Sequence, residues 1–117
     1  MISSKAVIGS NAIIGAGTLI EDDVIIGDNV KIGNNAVIAN GSRIGNGVKI
    51  SHGAVISTEP QDLKFGGEIT TVEIGENTTI REFATINRGT NHSKKTVVGK
   101  NCYIMSYVHI AHDCVIG

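Results

Sequence analysis

Tryptophan is absent from the 117-residue chain, and phenylalanine and tyrosine supply two residues each, so aromatics reach only 3%. With hydrophobic residues at 41%, the core has to be built from stacked Ile, Val and Ala instead. An excess of charge is also missing. The formal net charge of −1 argues against a nucleic-acid groove or a polybasic membrane anchor. No run approaches the ~18 apolar residues of a transmembrane segment. The first residues do not form a charged-then-apolar leader, so a cytoplasmic protein is expected. The two cysteines, Cys102 and Cys114, lack metal-site spacing, and buried thiols are expected rather than a disulfide or a ligand pair. Length bounds the chain to a single domain, residues 1–117.

What the chain has in abundance is isoleucine on a fixed step. It recurs at every sixth position through Ile2, Ile8, Ile14, Ile20, Ile26, Ile32, Ile38, Ile44, Ile50 and Ile56. Neither the helical period of about 3.6 nor the strand period of about 2 produces this pattern. A strict hexad is the signature of a parallel β-helix, an all-β fold in which each coil stacks on the last. With isoleucine as position one, position two is often Gly, as at Gly9, Gly15, Gly27 and Gly33. Position four is mostly Asn, Gly or Asp, as at Asn11, Gly17, Asn29, Asn35 and Gly47. These residues tolerate positive φ, so position four reads as a tight corner. Position five is small or β-branched, as at Ala12, Thr18, Val24, Cys102 and Cys114. Residues two apart in a strand share a face, so positions five and one point inward and position six points out. Three such sides close a triangular coil.

The isoleucine column breaks twice. Residues 59–71 (EPQDLKFGGEITT) and about 91–96 (NHSKKT) read as two loop excursions, the first containing the only proline, Pro60, and the Gly66-Gly67 pair. Lys94 and Lys95 in the second read as solvated charge, with a basic contact to an acidic carrier or phosphate as the alternative. Position six on one side is Leu19, Val37 and Val55, apolar in each coil. The other two sides carry Val7, Ile25, Arg43 and Ile13, Lys31, Lys49. The consistently apolar column reads as a subunit interface along the helix axis, most simply in a symmetric ring, with ordinary surface aliphatics as the competing reading.

His109 lies 54 residues after Val55, three full periods, so it belongs to the same apolar side. His112 then falls at the corner ending that side, where the first excursion also departs. Val108 and Ile110 take the inward places, so both histidines point outward. A histidine can accept a proton at neutral pH. An ordinary exposed polar residue is the competing reading for His112, and turn geometry alone competes for Asp113. Two histidines without a third ligand do not make a metal site, and no metal or cofactor is expected.

The segment from Glu59 onward contains QDLK, IRE…TINRGT and IAHDC. On these motifs the chain resembles the UDP-N-acetylglucosamine acyltransferases of lipid A synthesis. The first 56 residues match that family only as generic repeats. The resemblance implies a left-handed parallel β-helix working as a homotrimer. It implies transfer of a 3-hydroxyacyl chain from acyl carrier protein to the sugar 3-position of UDP-N-acetylglucosamine. It further implies that His112 is the general base, that Asp113 supports it, and that His109 lines the same cleft. Gln61, Asp62 and Lys64 would contact the sugar nucleotide. Some members carry histidine where this chain has Asn87. Members also run to about twice this length, so the isolated chain is expected to be inactive. Rival readings are a related N-acyltransferase acting on a nucleotide sugar, a zinc-dependent hydratase on the same fold, and a non-enzymatic structural β-helix.

Overall fold

The computed structural model of the chain describes residues 1–57, 71–87 and 95–110, together with the backbone of 58 and of 115–116. Its local logic follows from the hexad. A β-branched residue at position one favours a short strand, and a left-handed residue at position four turns the chain before the strand can lengthen. Positive φ occurs at this position in Asn11, Asn29, Asn35, Asn77 and Asn101, and in Gly17, Gly41, Gly47 and Gly53. Phe83 and Tyr107 adopt it as well, although bulky residues rarely do.

The first coil holds β1 (Val7–Ile8), β2 (Ile13–Ile14) and β3 (Leu19–Ile20). The second holds β4 (Val24–Ile26), β5 (Lys31–Ile32) and β6 (Val37–Ile38). β7 (Ser42–Ile44), β8 (Lys49–Ile50) and β9 (Val55–Thr58) form the third. β10 (Thr71–Ile74), β11 (Thr79–Ile80) and β12 (Thr85–Asn87) form the fourth. The fifth comprises β13 (Lys95–Val98), β14 (Tyr103–Ile104) and β15 (His109–Ile110), and β16 (Val115–Ile116) begins the next. Every third strand stacks in parallel, giving three sheets ordered β1-β4-β7-β10-β13-β16, β2-β5-β8-β11-β14 and β3-β6-β9-β12-β15. The architecture is a left-handed parallel β-helix.

Register follows the repeat. Val7 pairs with Ile25, Ile13 with Lys31 and Leu19 with Val37, each 18 residues on. Val55 pairs with Thr85, a step of 30, and Thr85 with His109, a step of 24. The excursions therefore add twelve and six residues to the regular step, one full period between them. The path rejoins the sheet earlier than the sequence suggests in both places. Thr71 already belongs to β10, and Lys95 and Thr96 to β13, so the intervals between strands are 59–70 and 88–94. Lys95 is not loop charge; its Nζ lies 3.6 Å from a Glu73 carboxylate oxygen on the adjacent strand.

Inside the triangle the isoleucines stack. Ile20, Ile26, Ile38, Ile56, Ile80 and Ile86 are fully buried, as are Val30, Ala36, Val48 and Ala54 at position five. Each isoleucine burial is worth roughly 2 kcal/mol. Polar residues at position five are satisfied by the neighbouring backbone. Thr18 Oγ1 donates to the Gly33 carbonyl (2.7 Å) and accepts from the Ala36 amide, and Thr78 repeats the motif with the Gly99 carbonyl and the Cys102 amide. Position three caps the coil below. Asn34 Oδ1 accepts from the Ala16 amide (2.9 Å), Asp28 from Ser10, Asn46 from Asp28 and Asn40 from Asp23. Val108 is 38% exposed, and Cys102 is a free, half-buried thiol rather than a fully buried one. Cys114 lies outside the described residues.

Candidate functional site

Side chains at position six of the third sheet form one column along the axis: Leu19, Val37, Val55, Thr85 and His109, in consecutive register. The three aliphatics are half-buried in the single chain, and His109 is exposed. The corresponding columns on the other sheets run Val7, Ile25, Arg43, Glu73, Val97 and Ile13, Lys31, Lys49, Thr79, Tyr103. Charge interrupts both, so the third sheet alone keeps an aliphatic stripe leading to a histidine.

One contact in this column was not anticipated. Thr85 Oγ1 and His109 Nδ1 stand 2.7 Å apart, one coil above the other. Nε2 of His109 has no partner among the described residues. The signal was present in the sequence, since Thr85 breaks an otherwise aliphatic column one step beneath the histidine.

His112, Asp113, Gln61, Asp62 and Lys64 lie outside the described residues. The strands fix where their segments attach. The chain leaves the third sheet and joins the first at one corner in every coil. The ends of β9, β12 and β15 lie at that corner in three successive coils, and β10, β13 and β16 begin from it. The end of β9, which precedes Gln61, Asp62 and Lys64 in the chain, is two coils from the end of β15, which precedes His112 and Asp113, roughly 10 Å at strand spacing.

The described rim of this corner is irregular. Ser57, at the end of the third coil, is buried with φ 68 and donates its hydroxyl to the Asn40 carbonyl (2.7 Å). The β9–β12 register shifts between Ile86 and Asn87, pairing Asn87 with Thr58. Asn87 is a buried polar residue at that bulge, 5% exposed. Bulges and left-handed non-glycine residues gather where a chain must re-aim.

A second polar cluster occupies the corner between the second and third sheets. Arg81 pairs with Glu82 (3.0 Å), hydrogen-bonds the Tyr103 hydroxyl and lies over the Tyr103 ring at 5.8 Å. Glu82 is held down to about 2, first by its own backbone amide, then by the Arg81 guanidinium, with the Ser106 hydroxyl assisting. Beside it the Phe83 and Tyr107 rings stack at 5.5 Å, and His52 meets Phe83 edge-on at 5.4 Å. Every charge here is partnered within the cluster, which makes it a structural brace. Among the described residues no group of three or more His, Cys, Asp or Glu could hold a metal ion, and no helix is long and apolar enough to cross a membrane.

The chain matches the family described as bacterial transferase hexapeptide (six repeats) over residues 23–58 and 95–117, half of its length. It is 59% identical over 61 residues to the acyl-(acyl-carrier-protein)-UDP-N-acetylglucosamine O-acyltransferase of Chlorobaculum tepidum, a match covering 52% of this chain and 23% of that protein. Against the crystal structure of a UDP-N-acetylglucosamine acyltransferase from Bacteroides fragilis the TM-score is 0.89 at 53% identity, covering 97% of this chain and 47% of that one. The corresponding enzyme of Campylobacter jejuni gives 0.91 at 40% identity, covering 97% and 44%. The chain spans under half the length of either solved structure.

Proposed function

The chain belongs to the bacterial transferase hexapeptide family, and on that premise we propose that it forms part of an O-acyltransferase acting on UDP-N-acetylglucosamine. The reaction moves a 3-hydroxyacyl chain from acyl carrier protein to the sugar 3-hydroxyl, the first step of lipid A synthesis, in the cytoplasm. The observation that carries this reading is the shared corner. QDLK follows the end of β9 in the chain and AHDC follows the end of β15, strands two coils apart in the same sheet, beside a column whose last described residue is His109. The similarity to acyltransferases of that specificity supports it.

In this mechanism His112 takes the proton from the sugar 3-hydroxyl, with Asp113 favouring the imidazolium that forms. The oxygen attacks the thioester carbonyl, the carbon–sulfur bond breaks, and the proton passes to the departing carrier thiolate. His109 lines the cleft, while Gln61, Asp62 and Lys64 hold the sugar nucleotide. The Leu19, Val37, Val55 stripe is the seam of a homotrimer, which places the column and its histidine where two subunits meet. The test is acyl-carrier-protein-dependent transfer by the gene product that carries this chain. His112→Ala should lower turnover by roughly 10²–10⁴-fold, the usual worth of a general base, with folding and assembly unchanged. Near-normal turnover in that variant ends the assignment.

A further inference from the structure

The acyl-transfer reading leaves the division of labour between two neighbouring histidines unexplained, and the Thr85–His109 contact supplies a reason for it. Thr85 Oγ1 lies 2.7 Å from His109 Nδ1 and has no other hydrogen-bond partner among the described residues. A hydroxyl can donate or accept. If Thr85 accepted from Nδ1–H, its own proton would turn to solvent and the imidazole would hold the less stable of its two neutral tautomers. If it donates, the hydroxyl proton is used within the protein and the ring keeps the Nε2–H form that a free neutral imidazole side chain already favours. The bond made by one ring nitrogen decides which nitrogen carries the imidazole proton.

Resting on the acyl-transfer reading, we propose that Thr85 donates to His109 Nδ1 and thereby holds the uncharged imidazole as its Nε2–H tautomer. His109 then presents a hydrogen-bond donor to an acceptor oxygen of the bound substrate. Thr85 is a positioning residue that acts through His109. Three features of the fold make the arrangement stiff. Thr85 and His109 are direct register partners on adjacent parallel strands. The Thr85 amide donates to the Val108 carbonyl (2.9 Å), locking the two backbones beside the contact. Thr85 is also β-branched, so its χ1 is restricted. With its Nε2 occupied by a proton, His109 cannot serve as a base through that atom. Proton abstraction is left to His112, and the pair divides into donor and base.

The test is spectroscopic and does not require turnover. Histidine-labelled protein at mildly alkaline pH gives long-range proton–nitrogen correlations that distinguish the two tautomers, with His109→Gln assigning the ring. The wild type should show His109 as a single species protonated at Nε2. Thr85→Val, which keeps the β-branched shape, should yield a mixture of tautomers, and Thr85→Ser should restore the single species. A wild-type proton on Nδ1, or an unchanged spectrum in Thr85→Val, overturns the inference. In the transfer assay Thr85→Val should lower kcat/KM by about three- to tenfold, the effect of one uncharged hydrogen bond, with Thr85→Ser recovering most of it. Turnover that ignores a shifted tautomer would remove the donor role. The two readings fail separately: His112→Ala with full turnover sinks acyl transfer and leaves the tautomer result intact, whereas an unmoved tautomer sinks this inference alone.

Discussion

Replacing Gly53 with alanine tests how tightly successive coils are keyed at their corners. Gly53 adopts φ +71, and an added methyl would strike the Phe83 ring directly above it. The left-handed backbone alone costs an alanine about 1 kcal/mol. The larger effect comes from the ring, which must swing away and lose its stack on Tyr107 and its edge contact with His52. Each aromatic contact is worth about 0.5–1.5 kcal/mol, so Gly53→Ala should destabilise by roughly 2–4 kcal/mol in all. Denaturant unfolding at unchanged m-value measures this. The decisive comparison is a double-mutant cycle with Phe83→Ala. Once the ring is gone the methyl has room, and Gly53→Ala should then cost only the backbone contribution of about 1 kcal/mol. A coupling of at least ~1 kcal/mol is therefore expected between the two sites. Simple additivity, or a single-mutant effect below ~1 kcal/mol, would refute the steric reasoning.

Two further outcomes follow from other faces of the molecule. Val37→Asp, in the centre of the aliphatic stripe, should shift the proposed trimer toward monomer in light scattering, because the proposed seam would lose an apolar contact and gain an unpaired carboxylate worth several kcal/mol when desolvated. A native protein that is monomeric with this stripe in water would refute the seam. Glu82, held at about 2 against an ordinary 4.5, contributes stability that is present above pH 4.5 and lost as pH falls toward 2. The stability difference between wild type and Glu82→Gln should accordingly be flat near neutrality and shrink through that window; an unchanged difference at pH 3 and pH 7 would contradict the role of Arg81 and the Glu82 backbone amide.

Much of this fold was legible because a β-helix repeats one small decision. The isoleucine step, the left-handed residue at position four and the small residue at position five are each local, and each recurs often enough to outvote exceptions. The outward columns follow from period alone, which aligns His109 with Val55 across both excursions. Boundaries were less legible. Thr71, Lys95 and Thr96 are β-branched or polar residues that serve a strand or a loop equally well, and only the pairing of Thr71 with Lys95 and of Thr96 with Val72 decides the matter. Phe83 and Tyr107 at left-handed corners were invisible for a different reason. Backbone preference argues against them, and the ring stack that compensates is a contact between residues 24 apart.

The site divides along the same line. Motifs name the residues that would meet substrate, because proton transfer and nucleotide contact demand particular side chains at particular spacings. They do not name the residues that hold those side chains in place. Thr85 is such a residue: in a strand it reads as an ordinary β-former, and its hydroxyl acquires meaning only when the coil above puts an imidazole nitrogen 2.7 Å away. Parallel stacking makes this kind of assistance vertical. The partner of a residue in one coil is its register mate in the next, whatever length of chain intervenes between them. For a column that runs aliphatic, aliphatic, aliphatic, hydroxyl, imidazole, the informative departure is therefore the hydroxyl, and the same search down the columns of other β-helices should find positioning residues that no linear motif contains.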